Sequence, residues 1–386
     1  MNVIDLFSGV GGLSSGFKKA GYDIILANEI DPMIAESYRK NHPETLMINR
    51  DIKYLADNFK ECIEENLALI DDPERRDEIR SKLSSIDVII GGPPCQGFSM
   101  AGARIRKTNE FIEDPRNFLF KYYFKLLQIF EPEFFVFENV PGLVNLKNGD
   151  ILNEITKIFS DASEFSGHGY NIETKIIDST IAGVPQKRKR LIILGSKTHK
   201  IDILADLKEF TEARKIPDDV TVSDAISDLN YLESGDGEFI SEYKSPTLKK
   251  YQIARRTKTE NLYNHVAPLH AEKTIARIAE IKQGENYRNL KDHESIKSVH
   301  SGSYGRLEWN KSSPTITTRF DTPSAGRVIH PELNRSLTPR EAARIQSFDD
   351  DFVFYGNKSS IGKQIGNAVP PLLAEAIANV ILKYQR

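Results

Sequence analysis

Short, unbroken apolar runs recur along the first half of the chain, and stretches with apolar residues at helical spacing separate them. The runs are Asn2 to Phe7, Asp23 to Asn28, Leu46 to Ile48, Asp87 to Ile90 and Phe134 to Phe137. Because they do not alternate with polar residues, they predict strands buried on both faces, as in a parallel sheet. Helices are predicted from the glycine-rich turn after Phe7 to about Ala20, over Pro32 to Asn41, and over Phe118 to Phe130. Asn58 to Leu83 carries Phe59, Ile63, Leu67, Ile70, Ile79 and Leu83 at roughly helical spacing, so it reads as a charged helical insertion broken near Asp71-Asp72-Pro73. Asn171 to Ile177 and Leu191 to Gly195 are further strands. From about Lys197 to Arg335 the periodicity fades, which predicts loops and short strands. Thr338 before Pro339 and Glu341 marks a capped helix start, and Gln364 to Leu382 a closing helix. The fold class expected is α/β with a smaller, irregular second domain.

Composition changes this picture little. The 386 residues are 28% charged and 39% hydrophobic with a net charge of -3, as in an ordinary soluble protein. Two cysteines, Cys62 and Cys95, make no disulfide framework, and no Cys/His cluster has zinc spacing, so no metal is expected. Met1-Asn2-Val3-Ile4-Asp5 runs straight into a strand without a basic leader, and no run reaches membrane-spanning length. A cytoplasmic setting without a membrane is expected.

The chemistry gathers at strand ends. Val88 to Gly92 leads into Pro93-Pro94-Cys95-Gln96-Gly97-Phe98-Ser99, where two prolines stiffen the turn that presents Cys95. A free cysteine is most often a small buried hydrophobe, but this one sits in a polar loop at the carboxyl end of a strand, where open α/β sheets bind ligands. Cys62, in the insertion, reads as inert. Ser8-Gly9-Val10-Gly11-Gly12 joins a strand to a helix, and Glu29 follows at the end of the next strand, about 20 residues on, where a carboxylate meets ribose hydroxyls. Ser14 stands where the dinucleotide fingerprint has its third glycine, which favours a nucleoside cofactor lacking a pyrophosphate, S-adenosylmethionine being the natural candidate. A turn that only packs helix on sheet is the alternative. The Phe134 strand delivers Glu138 to the same edge as Cys95, which favours an acid role over a cap or an ion-pair partner. Met100 to Arg116 is a long polar loop of the kind that closes over a substrate. Gln186-Lys187-Arg188-Lys189-Arg190 enters a buried strand, so Arg188 and Arg190 are expected on one side.

Taken together, Asp5 to Gly12, Pro93-Pro94-Cys95-Gln96, Glu138-Asn139-Val140, Gln186 to Arg190 and Gly366-Asn367-Ala368-Val369-Pro370 resemble the bacterial cytosine-5 DNA methyltransferases of restriction-modification systems, in the family's order over essentially the whole chain. The resemblance implies a Rossmann-like S-adenosylmethionine-dependent domain over 1-196, a target-recognition domain over 197-335, a hinge and bracing segment over 336-360, and a carboxyl-terminal helix over 361-386 returning to the first domain. It implies Cys95 as nucleophile at carbon 6 of a flipped-out cytosine, Glu138 at the ring nitrogen, and Arg188 with Arg190 holding the base. Cofactor contacts implied are Phe7, Gly9, Gly11, Gly12, Glu29, Ile30, Asp51, Ile52, Gly92, Pro94, Leu119, Asn367 and Val369, with Glu29 on the ribose and Asp51 near adenine. The insertion after Asp51 departs from the most compact members.

Contacts to double-stranded DNA are expected from Gln96, Ser99, Arg104, Ser301, Ser303, Tyr304, Arg306 and Thr315, with the loop around Arg306 entering the major groove. Lys249-Lys250-Tyr251 and Arg255-Arg256-Thr257-Lys258 suit a phosphate-contacting surface, a solvated helix face being equally good. A monomer is expected, nucleoid-associated when on DNA, with a cognate restriction endonuclease acting separately. The other readings are a tRNA methyltransferase of the same family, an inactive DNA-binding module, and, from fold alone, a dinucleotide oxidoreductase.

Overall fold

The computed structural model describes residues 1–94, 118–246, 249–256, 260–295 and 302–385. By its internal contacts the chain divides into two compact units, Met1–Asp178 with Lys189–Arg214 and Ala374–Arg386, and Ser179–Arg188 with Lys215–Leu373. Helix Ile203–Ala213 therefore falls in the first unit, and the segment over 361–373 in the second.

In the first unit, β1 (Asn2–Leu6), β2 (Asp23–Asn28), β3 (Leu46–Ile48), β4 (Val88–Gly91), β5 (Phe134–Asn139), β6 (Asn171–Asp178) and β7 (Lys189–Ser196) form one sheet of order β3-β2-β1-β4-β5-β7-β6. The first five are parallel, and β7 runs antiparallel to both β5 and β6. The apolar runs read from sequence are these strands: Ile89, Phe135 and Phe137 are fully buried, covered on one side by the helix Phe118–Phe130 through Phe120 and Tyr123. The insertion folds as helices Phe59–Leu67 and Pro73–Leu83, broken where Asp72 caps the second helix and Pro73 opens it. Cys62 is buried there, and burial raises its pKa.

The closing helix differs from expectation. It is two helices, Lys358–Asn367 and Pro371–Leu382, because Pro370 and Pro371 lack N–H donors and push the residue before each of them to extended backbone. Lys358–Gln385 is also the one stretch among the described residues long and apolar enough to match a membrane span, which the sequence reading did not expect. Its most apolar window is 67% buried, as suits a core helix, and Tyr22 Oη donates to the Ala378 carbonyl at 2.9 Å within the first unit.

The second unit has two small sheets, Gly237–Glu242 with Asn261–Val266 and Gly305–Arg306 with Arg327–Ile329. Between them lies a buried ionic network. On and just before the helix Pro339–Ile345, Arg335 grips Glu341 with two bonds of 2.7 and 2.8 Å, Arg344 grips Asp350 at 2.6 and 2.8 Å and Asp228 at 2.7 Å, and Arg340 donates to three carbonyls. Each guanidinium is fully paired, which is what makes its burial tolerable. The Thr338 capping box is present as read.

Candidate active site

The first unit's parallel strands bring five segments to one sheet edge. Beyond β1, Phe7 and Gly9 both have positive φ, and Gly11, at φ 94, opens the helix Gly12–Lys19. A side chain at Gly11 would lie 2.6 Å from His42 Nε2, so this turn is moulded against His42 and Tyr38. Beneath it the buried Asp5 accepts from Ser14 Oγ at 2.6 Å, and Ser14 Oγ lies 2.7 Å from Tyr38 Oη. Burial raises Asp5 to about 7 and lowers His42 to about 3, so His42 is neutral. Ser14, the residue that breaks the dinucleotide pattern, thus ties helix to strand.

At the end of β2, Glu29 receives the Gly9 N–H at 3.1 Å and the Asp31 N–H at 2.8 Å. Burial nevertheless raises its pKa, the two N–H bonds opposing it. Ile30 beside it is 64% exposed, an apolar face on the rim. Asp51 caps the helix Ile52–Asp57, accepting from the Lys53 N–H at 2.8 Å. The Ile52 side chain is 3% exposed and belongs to the core, which leaves only its backbone, at the start of that helix, for a ligand. Gly12 is buried in the helix start, and Leu119 packs against the core.

At the ends of β4 and β5, Asn139 Nδ2 donates to the Pro93 carbonyl at 3.0 Å and Asn139 Oδ1 accepts from the Val140 N–H, latching the turn Gly92-Pro93-Pro94 to β5. A Cβ on Gly92 would meet Glu138 Oε2 at 2.6 Å, so a side chain there would displace this carboxylate. Arg190 Nε sits 2.7 Å from Glu138 Oε1, and the two side chains are only 11% and 12% exposed. Burial pulls the Arg190 pKa down, opposed by the Glu138 charge. The antiparallel register of β5 and β7 sets this meeting, since Asn139 faces Leu191. Cys95, Gln96, Ser99, Arg104 and Ser301 lie outside the described residues, as does the loop from Met100 to Arg116.

Arg188 meets other partners than Arg190 does. It lies in the second unit, 1% exposed, and donates to the carbonyls of Ile316 at 3.1 Å and Gly366 at 2.8 Å. Arg188 precedes the first residue of β7, so the strand period that places Arg190 does not extend to it.

The expected major-groove loop is corrected too. Arg306 is 4% exposed and all its donors are spent inside the second unit, on the carbonyls of Ile278, Ile281, His330 and Leu333 and on Asn334. Ser303 is buried and donates to the Ser324 carbonyl, and Tyr304 is in a core cluster. Thr315 is exposed, its hydroxyl donating to the Lys187 carbonyl at 2.9 Å. Arg255 pairs with Asp349 and Arg256 with Asp228, which ties both inward, while Lys249 pairs with Asp224 in a partly exposed position; Thr257 and Lys258 lie outside the described residues. Sequence reasoning missed the parts played by Asn139, Tyr38 and His42, whose partners are remote in the chain.

The sheet order, with its one antiparallel strand, and the glycine turn facing an acidic strand end define the Rossmann-like class of S-adenosylmethionine-dependent methyltransferases. The family described as C-5 cytosine-specific DNA methylase matches residues 1–383, and the chain belongs to it. It is 36% identical over 407 residues to the Type II methyltransferase M.DdeI of Desulfomicrobium norvegicum, covering 100% of this chain and 89% of the relative. It is 35% identical over 383 residues to the Type II methyltransferase M1.HphI of Haemophilus parahaemolyticus, covering 99% and 87%. Among solved structures, a protein assigned as a DNA modification methyltransferase of an E. coli prophage superposes with TM-score 0.70 at 29% identity, over 99% of both chains. The S. pombe Dnmt2 methyltransferase, TM-score 0.60 at 17% identity over 100% and 99%, shares the fold. The protein is thus a DNA (cytosine-5-)-methyltransferase.

Proposed function

We propose that this enzyme transfers a methyl group from S-adenosylmethionine to carbon 5 of a cytosine flipped out of a specific duplex DNA site, through a covalent Cys95 adduct. The observation that carries this is the Glu138–Arg190 pair at 2.7 Å, on the strand end to which Asn139 ties the turn that leads into Cys95. Carbon 5 of cytosine is a poor nucleophile. Addition of the Cys95 thiolate to carbon 6 makes carbon 5 an enamine carbon, while a proton that Glu138 donates to the ring nitrogen neutralises the developing negative charge; carbon 5 then takes the methyl group and the donor leaves as a neutral thioether. Arg190 fixes the rotamer of Glu138. Loss of the carbon 5 proton then re-forms the ring double bond and expels Cys95 as thiolate.

The donor brings an electrophilic methyl group on a sulfonium sulfur. Glu29 suits its ribose hydroxyls, the exposed face of Ile30 suits adenine, and the turn Phe7 to Gly11, Asp51, Gly92, Pro94, Leu119, Asn367 and Val369 complete its proposed contacts. An acceptor carboxylate beside an apolar surface is the donor set a nucleoside needs. The second unit is the proposed reader of the DNA, with Thr315 on its surface. The relatives' type II naming suggests a separate cognate endonuclease, and a cytoplasmic monomer on double-stranded DNA fits that setting.

Incubating the protein with methyl-labelled S-adenosylmethionine and unmethylated phage DNA should label the DNA, and Cys95→Ser should nearly abolish labelling. Duplexes with 5-fluorocytosine at the methylated position should be trapped covalently, because no proton can leave. Full activity of Cys95→Ser would sink the covalent route.

A further inference from the structure

A chain of directed amide bonds runs through the second unit. The Ile316 N–H donates to Gln186 Oε1 at 2.7 Å, Gln186 Nε2 donates to Gln346 Oε1 at 2.8 Å, and Gln346 Nε2 donates to the Ile365 carbonyl at 2.7 Å. Both glutamines have no exposed surface. Arg188 closes the circuit by donating to the Ile316 and Gly366 carbonyls. Around it, the Lys187 N–H donates to the Ser313 carbonyl and Thr315 Oγ1 to the Lys187 carbonyl. A Cβ on Gly366 would lie 2.4 Å from the Thr318 nitrogen, so the segment Ile316 to Thr318 lies directly on the helix Lys358–Asn367.

The carbonyls of Ile365 and Gly366 belong to the last turn of that helix, where the backbone has no partner of its own. Side chains from Gln346 and Arg188 supply the missing donors, and the arginine adds a positive charge at the negative end of the helix. Asn367 follows at once. Each amide in the relay can point only one way, since turning Gln346 over would face an N–H with an N–H and a carbonyl with a carbonyl.

We infer that Gln346 is a positioning residue for methyl transfer, which with Gln186 sets the helix end carrying Asn367 and the strand-like segment carrying Thr315 in one fixed register. This rests on the proposed placement of Asn367 at the donor and Thr315 at the DNA. A single amide then serves both substrates, and neither touches it.

The test is Gln346→Met, which keeps the volume but removes both bonds, studied in the full chain. The Kd for S-adenosylmethionine by calorimetry, and the KM for phage DNA, are each expected to rise at least about tenfold, the usual effect of removing a group that orients a ligand contact. A purely structural glutamine would lower the Tm and leave the Kd and KM of the folded protein within twofold, and that result overturns the inference. Gln346→Glu still accepts from Gln186 but can donate to the Ile365 carbonyl only when protonated. Its Kd should return toward the wild-type value as pH is lowered, relative to wild type at the same pH. This variant decides if the methionine variant does not fold, and failure of both to fold overturns the inference in favour of a role in stability alone. Wild-type protein that binds no S-adenosylmethionine would instead refute the proposed function.

Discussion

Glu138 and Arg190 form an ion pair that water reaches poorly. Replacing Arg190 with Met would take the guanidinium away from a nearly buried carboxylate. Arg190→Met should lower stability by roughly 3 kcal/mol in denaturant titration, and slow transfer as Glu138 becomes a proton carrier of altered strength. Arg306 makes the contrasting case. A residue that reads a base can be removed without harm to the fold, whereas Arg306 caps four backbone carbonyls from inside. Arg306→Met should therefore melt the second unit at distinctly lower temperature, and an unchanged Tm with weakened DNA binding would restore the reading role. The two arginines cannot be told apart from their neighbours in sequence, because what decides is remote: Glu138 for one, Ile278 to Leu333 for the other. Neither composition nor period contains that information.

Elements were far more legible than side-chain partners. The strand over Leu46–Ile48 and the helix over Phe118–Phe130 follow from apolar runs and spacing alone, since local burial dictates both. The closing helix was misread because its apolar spacing continues through Pro370 and Pro371, which end one helix and open the next. The first strand, turn and helix carry a consequence of their own in Asp5. Its carboxyl titrates near 3.8 in an unfolded chain and at about 7 in the buried site, because burial disfavours the charge. Below the lower value both states hold the proton, and Asp5 costs nothing. As pH rises between the two values the unfolded chain ionises first, so stability is lost across this window and then levels off. Asp5→Asn keeps an acceptor for Ser14 without a charge. Wild type should therefore lose stability relative to Asp5→Asn from about pH 4 to about pH 7 in thermal melts, and parallel curves would show that Asp5 does not titrate there.

Over the whole molecule the buried histidines answer to pH in the opposite sense to Asp5. In the second unit, burial holds His265 at about 4 and His330 at about 3, so both stay neutral when folded. Their contribution is present above the usual histidine value of 6.5 and is lost as pH falls toward those values. In the first unit His42, held at about 3, behaves the same way, whereas Asp5 loses stability as pH rises. The first unit is also discontinuous: residues from Ala374 onward complete it, with Tyr22 bonded to Ala378, Lys383 to Asp206 at 2.6 Å and Tyr384 to Asp206 at 2.7 Å. Ending the chain before Ala374 exposes the surface that Ala376, Ile377, Val380 and Ile381 cover. That truncation should be insoluble or bind a hydrophobic dye, and calorimetry should show no binding of S-adenosylmethionine. A soluble truncation that binds the donor like the full chain would show that the closing helix is dispensable.

That same helix governs the timing of birth. Tyr22 leaves the ribosome 356 residues before the carbonyl that receives its hydroxyl. At ordinary rates of synthesis the interval is roughly 20 to 70 s. Throughout it the nascent sheet lacks a wall, and a chain abandoned on a broken message never gains one. The sheet can close on this side only after Ala378 has been made.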